Sequence, residues 1–212
     1  MTDPNHKVVL CYGDSNTNGQ KPASYDRFAS NERWTGILQD LLGPNIEILE
    51  EGLGGRTVNI DDPQPGREGK NGKTYFAPCL SSHIPLDLVV LMLGTNDLKV
   101  KFDRDVAAIA DGIRELIELA RTKQVPVLLL APIVLNASAP DWTFYGESSF
   151  DETSVQKSKQ LVLHLKELAH EMDCAFVAAS DVAKAGEDGV HLDSASHRRL
   201  AEVLAREIKQ LL

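Results

Sequence analysis

The sequence predicts an α/β fold, a three-layer α/β/α sandwich built on a five-stranded parallel sheet. Three observations predict it. Five short apolar runs, at 8–12, 46–49, 86–93, 125–131 and 174–178, are bounded by turn residues and are too short for core helices. Amphipathic stretches with apolar residues every three or four positions lie between or after the later runs. Alternation of the two kinds implies βαβ units, right-handed crossovers and helices on both faces of the sheet.

Taken in order, the first run ends in Gly13-Asp14-Ser15, and the second ends in two glutamates followed by Gly52-Leu53-Gly54-Gly55. The segment 61–72 is dense in Asp, Pro and Gly and predicts a long loop. The third run ends in Gly94-Thr95-Asn96-Asp97. A helix follows through Val106, Ile109, Ala110, Ile113, Leu116, Ile117 and Ala120, and the fourth run succeeds it. A second loop, 136–150, concentrates Trp142, Phe144, Tyr145 and Phe150 among small and polar residues. Leu161, Leu165, Leu168 and Met172 predict another helix before the fifth run, and Leu200, Val203, Leu204, Ile208 and Leu211 predict a last one. Long loops in a compact domain are usually functional.

The chain has 212 residues, the size of one domain covering 1–212, and it shows no internal repeat or compositional linker. Its formal net charge of -9 disfavours nucleic acid and anionic membrane surfaces as partners, because both call for clustered Lys and Arg. No run of about 18 apolar residues or signal-type leader is present, so the expected location is cytoplasmic. Cys11, Cys79 and Cys174 are an odd number without C-x-x-C spacing and are expected to be buried free thiols.

In an open parallel sheet the site forms beyond the carboxyl ends of the strands. Four segments with chemical character fall there or before the last helix. Ser15 stands where a nucleophile belongs, but a serine hydroxyl needs a base, an orienting carboxylate and oxyanion donors. Asp188-Gly189-Val190-His191 supplies the carboxylate and imidazole. Asn96 supplies a side-chain N–H, and the Ser15 and Gly55 backbone N–H groups complete an oxyanion hole. Taken alone, Ser15 reads as a turn or helix-capping residue, Asn96 and Gly55 as turn residues, and Asp188 with His191 as a loop pair. Their joint presence favours catalysis. Asp14 is read as a buried carboxylate that shapes the nucleophile's turn, and Arg56 as half of a structural ion pair in preference to an aid to substrate binding. His164 and His170 stand six apart, the wrong interval for a shared metal face. His83 and His197 lack Cys or carboxylate partners at ligand spacing, so these four and His6 read as surface or supporting residues.

These residues resemble the SGNH or GDSL hydrolases across the whole chain. Gly13-Asp14-Ser15-Asn16 is similar to the family's first block, Gly55 to the oxyanion glycine of the second, Gly94-Thr95-Asn96-Asp97 to the third, and Asp188-Gly189-Val190-His191 to the fifth. Tyr12, Thr17, Arg33-Trp34, Arg56-Thr57 and Asp61-Asp62-Pro63 extend the similarity toward the bacterial arylesterase and acyltransferase branch. In one departure, Glu50-Glu51-Gly52 replaces the Asn that usually leads the second block. The resemblance implies a flavodoxin-like sheet, no metal or organic cofactor, and hydrolysis of short-chain, acetyl-type esters through an acyl-enzyme. It also implies acyl transfer as a side activity and a homo-oligomer. A small-molecule acyl ester is the implied partner, with Asn18, Trp142, Phe144, Phe150 and Val190 as candidate pocket residues. Polar Asn18 and Gln20 beside the nucleophile make transfer in water weaker than hydrolysis. A carbohydrate O-deacetylase with the same triad remains open, as do a metal-dependent phosphoesterase using Asp14, Asn96, Asp97 and His191 and a non-catalytic acyl-ligand binding module.

Overall fold

The computed structural model describes residues 6–141, 143–144 and 147–212. Five strands form one parallel sheet: β1 (Lys7–Gly13), β2 (Ile46–Gly52), β3 (Leu88–Met92), β4 (Val127–Ala131) and, after a two-stranded hairpin, β7 (Ala175–Ala178). Their order is β2-β1-β3-β4-β7, as expected for a doubly wound sheet. The hairpin pairs β5 (Thr143–Phe144) with β6 (Glu147–Ser148) inside the 136–150 loop.

Side-chain alternation along β1 builds the three layers. Leu10 and Tyr12 point into one core with Phe76, Ile109, Ile113, Leu161 and Leu165. Val9 and Cys11 point into the other with Trp34, Leu38, Leu200, Leu204 and Ile208. The first core is covered by α3 (Gly72–His83), α4 (Val106–Thr122) and α5 (Glu152–Glu171), and the second by α2 (Trp34–Leu42) and α6 (Ser194–Leu211). A one-turn helix, α1 (Ser15–Asn18), follows β1 directly.

All five sheet strands coincide with the expected segments, their ends shifted by at most three residues, and the expected apolar stripes fall in α4, α5 and α6, of which α5 and α6 begin nine and six residues before the first stripe residue. Two helices, α2 and α3, fall in stretches read without helical periodicity. The acidic end of β2 also extends to Gly52, beyond the expected 46–49. Glu50 explains that extension: its carboxylate accepts from Arg33 Nε and Nη2, both at 2.6 Å, from Thr35 Oγ1 at 2.6 Å and from Arg27 Nη2 at 2.9 Å. Burial pushes this carboxyl upward, but the Arg33 and Thr35 bonds and the arginine charges outweigh it and hold it below its ordinary range. The departure from the family's second block therefore ties the 27–35 segment to the sheet edge.

Register sets the site. Gly13 pairs with Gly52 on β2 and with Met92 on β3, so β1, β2 and β3 end at one level. The loops carrying Ser15, Gly55 and Asn96 consequently open at the same edge.

Candidate active site

Each loop is held in place by its own backbone chemistry. Asp14, buried at the head of α1, accepts the Asn16 N–H at 2.9 Å and so turns the chain sharply out of β1. Its carboxyl is pushed upward, chiefly by burial, against that hydrogen bond and the nearby positive charges. Asn16 then spans to the far end of the sequence: its side-chain N–H₂ donates to the Val190 carbonyl at 3.2 Å, and its Oδ1 accepts the Leu192 N–H at 2.9 Å. Its own carbonyl takes the Trp34 indole N–H at 3.0 Å. Asn16 thus clamps the Ser15 segment to the His191 segment.

The 185–192 loop is closed by a bridge between Ala185 and Leu192 and by the Gly186 N–H donating to the His191 carbonyl at 2.7 Å. Gly189 sits at φ 73° within this turn, where a side chain would be strained and a Cβ would lie 2.3 Å from the Ala139 nitrogen. Asp188 Oδ1 accepts the Val190 and His191 N–H groups, both at 2.9 Å. Its Oδ2 accepts the Ala23 N–H at 2.9 Å and lies 2.6 Å from His191 Nδ1. Burial raises this carboxyl, yet the imidazole's hydrogen bond and charge and the loop N–H groups hold it below the ordinary range. His191 Nε2 in turn lies 3.0 Å from Ser15 Oγ. Ser15, His191 and Asp188 are all buried. The carboxylate oxygen beside Nδ1 favours the tautomer protonated there, which leaves Nε2 able to accept a proton.

Ser15, Gly55, Asn96 and His191 line one cavity of about 50 Å³. At roughly 10–15 Å³ per water-sized probe, that is room for about four small groups. Gly55 adopts φ 79°, a left-handed conformation that suits glycine. Among the described residues, neither the Ser15 N–H nor the Gly55 N–H has an acceptor. Asn96 Nδ2 donates to the Arg56 carbonyl at 3.1 Å, and its other contact is to Asp14 Oδ2 at 3.5 Å, the outer limit for a hydrogen bond. One amide N–H therefore joins two loops, and the second remains available to the cavity.

Of the expected pocket residues, Phe150 and Val190 line this cavity. Asn18 does not: its amide donates to the Gly52 carbonyl at 3.3 Å, and Gln20 takes the cavity position instead. Trp142 and Tyr145 lie outside the described residues, as does the side chain of Phe144. Sequence reasoning missed Arg67 and Lys99, which also line the cavity; Lys99 is three residues from Asn96, the only signal the sequence offered.

Two supporting expectations need correction, those for Arg56 and His83. Among the described residues, Arg56 forms no ion pair. Its Nη1 donates to the Gly13 carbonyl at 2.8 Å and to the Glu51 carbonyl, while its guanidinium lies 4.1 Å from the Tyr12 ring centroid and 5.5 Å from that of Tyr75. His197 is the supporting residue of the two kinds expected, fully buried. Its Nδ1 accepts the Trp34 N–H at 3.1 Å, and burial brings its pKa down to about 4, so it is neutral. His83 does have partners at ligand spacing: Glu51, Cys79 and His83 place ligand atoms within 4.8 Å of one another. Burial and the Glu51 charge push the Cys79 thiol up to about 12, so it is protonated there.

The carboxylates of a phosphoesterase arrangement are committed elsewhere. Asp97 accepts the Val58 N–H at 3.0 and 3.1 Å and the Arg104 guanidinium at 2.6 Å. Burial nevertheless raises its pKa to about 6. Among the described residues, no helix is long and apolar enough to cross a membrane.

Comparison with known proteins gives the family. The family described as GDSL-like Lipase/Acylhydrolase matches residues 11–199. The native aryl esterase of M. smegmatis is 39% identical, with a TM-score of 0.89 over 97% of this chain and 100% of that one. A carbohydrate acetylesterase from Sinorhizobium meliloti is 38% identical, with a TM-score of 0.89 and the same coverage. A carbohydrate acetylesterase family member from the same organism is 33% identical, with a TM-score of 0.88 over 97% of this chain and 99% of that one. No curated protein matches the chain in sequence. The chain belongs to the GDSL-like lipase/acylhydrolase family, in the arylesterase branch of the SGNH hydrolases, and is a carboxylic ester hydrolase.

Proposed function

We propose that the protein is a serine esterase acting on short-chain, acetyl-type esters through an acyl-enzyme, with Ser15 as nucleophile. The observation that carries this reading is the continuous chain from Ser15 Oγ to His191 Nε2 at 3.0 Å and from His191 Nδ1 to Asp188 at 2.6 Å, beside the cavity. His191 takes the hydroxyl proton as Oγ attacks the acyl carbonyl, and Asp188 steadies the imidazolium that forms. The carbonyl oxygen, now negative, is met by the Ser15 and Gly55 N–H groups and by Asn96 Nδ2. The protonated imidazole then donates to the departing alkoxide. A water deprotonated by the same nitrogen attacks the acyl-enzyme, releases the acid and restores Ser15. The small cavity supports an acyl group of acetyl size. Acyl transfer to an alcohol in place of water is a side activity of the same intermediate, and Gln20 in the cavity wall keeps that region polar and favours water.

Incubation with a serine-directed fluorophosphonate followed by peptide mass spectrometry tests the assignment. A single adduct on the peptide carrying Ser15 is expected; labelling elsewhere, or none, overturns it and revives the binding-module reading. Asn96→Ala is expected to lower kcat for 4-nitrophenyl acetate by about 10²–10³ with a smaller change in KM, the usual cost of one oxyanion donor. Steady-state kinetics check this.

The likeness to carbohydrate acetylesterases supports a second reading, removal of acetyl groups from a sugar by the same residues. Comparison of kcat/KM for acetylated xylose and aryl acetates separates the two.

A further inference from the structure

The cavity beside Ser15 has a positively charged wall in a chain whose formal net charge is -9. Arg67 and Lys99 line it, and among the described residues no Asp or Glu does. Arg67 donates through Nε to Asp62 at 3.1 Å, and its Nη2 lies 2.7 Å from where a Cβ on Gly55 would stand, so the guanidinium covers the oxyanion glycine. Asp62 is already shared: Lys101 Nζ approaches its two oxygens at 2.6 and 2.7 Å. Asp62 therefore faces both of these cations. The third, Lys99, has no hydrogen bond or ion pair from its ammonium to any described residue. Burial and the charges of Arg67 and Lys101 bring its pKa down to about 7, against the opposing pull of Asp62 and Asp14. Lys99 is half-buried, and an ammonium partly withdrawn from water without a partner is costly, a cost that an anionic ligand in the cavity reduces.

We propose that the ester accepted at this site carries an anionic oxygen group near the scissile bond, held by Lys99 with Arg67 beside it. This rests on the esterase reading and names its substrate class. The group belongs to the leaving alcohol or to the acyl chain, and in both positions its chemistry is that of a carboxylate. A rival role for Lys99 is counter-charge to buried Asp14, which acts on it through space and not through an ion pair.

Two matched pairs of substrates decide between these roles. 4-Acetoxybenzoate against its methyl ester places the charge on the leaving group. Mono-4-nitrophenyl adipate against its methyl ester places it on the acyl chain. The expected result is a kcat/KM at least about tenfold higher for the anionic member of one pair, with the ratio falling about tenfold in Lys99→Met and shrinking as salt is added. A ratio at or below one in both pairs overturns the proposal. So does a Lys99→Met enzyme whose two rates fall by the same factor, which identifies the counter-charge role. Binding keeps this test separate from turnover: in Ser15→Ala protein, benzoate titrated against benzamide by NMR is expected to bind more tightly, and Lys99→Met is expected to abolish the preference. Benzoate preference in a protein that hydrolyses no ester overturns the esterase reading alone. Hydrolysis without anion preference in either measurement overturns this inference alone.

Discussion

Ser15→Ala is expected to lower kcat/KM for 4-nitrophenyl acetate by roughly 10⁵, about 7 kcal/mol of transition-state stabilisation, because the hydroxyl that His191 activates is lost. The substitution removes a single oxygen whose described hydrogen bond is to His191 Nε2, a nitrogen that itself lines the cavity. Water can take that place, so the melting temperature is expected to stay within a few degrees of the parent's. Stopped-flow turnover and thermal unfolding measure the two quantities. An alanine enzyme that keeps a tenth of the parent rate sinks the nucleophile assignment.

Asp188→Asn is expected to cost about 10⁴ in kcat, by a different route. An amide oxygen in the place of Oδ1 still accepts the Val190 and His191 N–H groups, so the turn persists. The amide nitrogen then faces His191 Nδ1 and the Ala23 N–H, where Oδ2 had accepted both. A donor against Nδ1 drives the ring proton to Nε2, and an Nε2 that carries a proton cannot take one from Ser15. The stranded Ala23 N–H costs about 1–3 kcal/mol of stability. The pH dependence follows with its sign. The folded-state carboxyl lies below its ordinary value, so its contribution to stability is present above the unfolded carboxyl's pKa and is lost as pH falls through the folded one. Acid unfolding of the asparagine variant is expected to lack that contribution. Equal acid sensitivity in parent and variant, measured by circular dichroism, contradicts it.

Much of this arrangement was legible because it follows local rules. The strands announced themselves as short apolar runs, and α4, α5 and α6 carry apolar stripes at helical spacing. The site segments fall at strand ends, where a parallel sheet must expose them. What the sequence hid is equally physical. The α2 segment does carry Trp34, Ile37, Leu38, Leu41 and Leu42 at helical spacing, but it is only nine residues long and holds Gly36, whose missing Cβ would lie 1.9 Å from the Ser30 carbonyl oxygen, so its stripe is short and interrupted. The α3 segment begins at Gly72, contains Pro78 and buries only Gly72, Phe76, Cys79 and Leu80, too few for a visible stripe. Asn18 looked like a pocket residue because of its nearness in sequence to Ser15, but a one-turn helix rotates it toward Gly52. Arg67 lies in a loop rich in turn formers and reaches the cavity only through the fold, a juxtaposition that no linear pattern encodes.

The bridge that Asn16 makes to Val190 and Leu192 spans 174 and 176 positions, and the nucleophile and its base are likewise 176 apart. During synthesis the serine therefore emerges from the ribosome long before its partner exists. On the proposed reading, a chain cut before residue 188 holds the serine without its base or orienting carboxylate, and is expected to hydrolyse no ester.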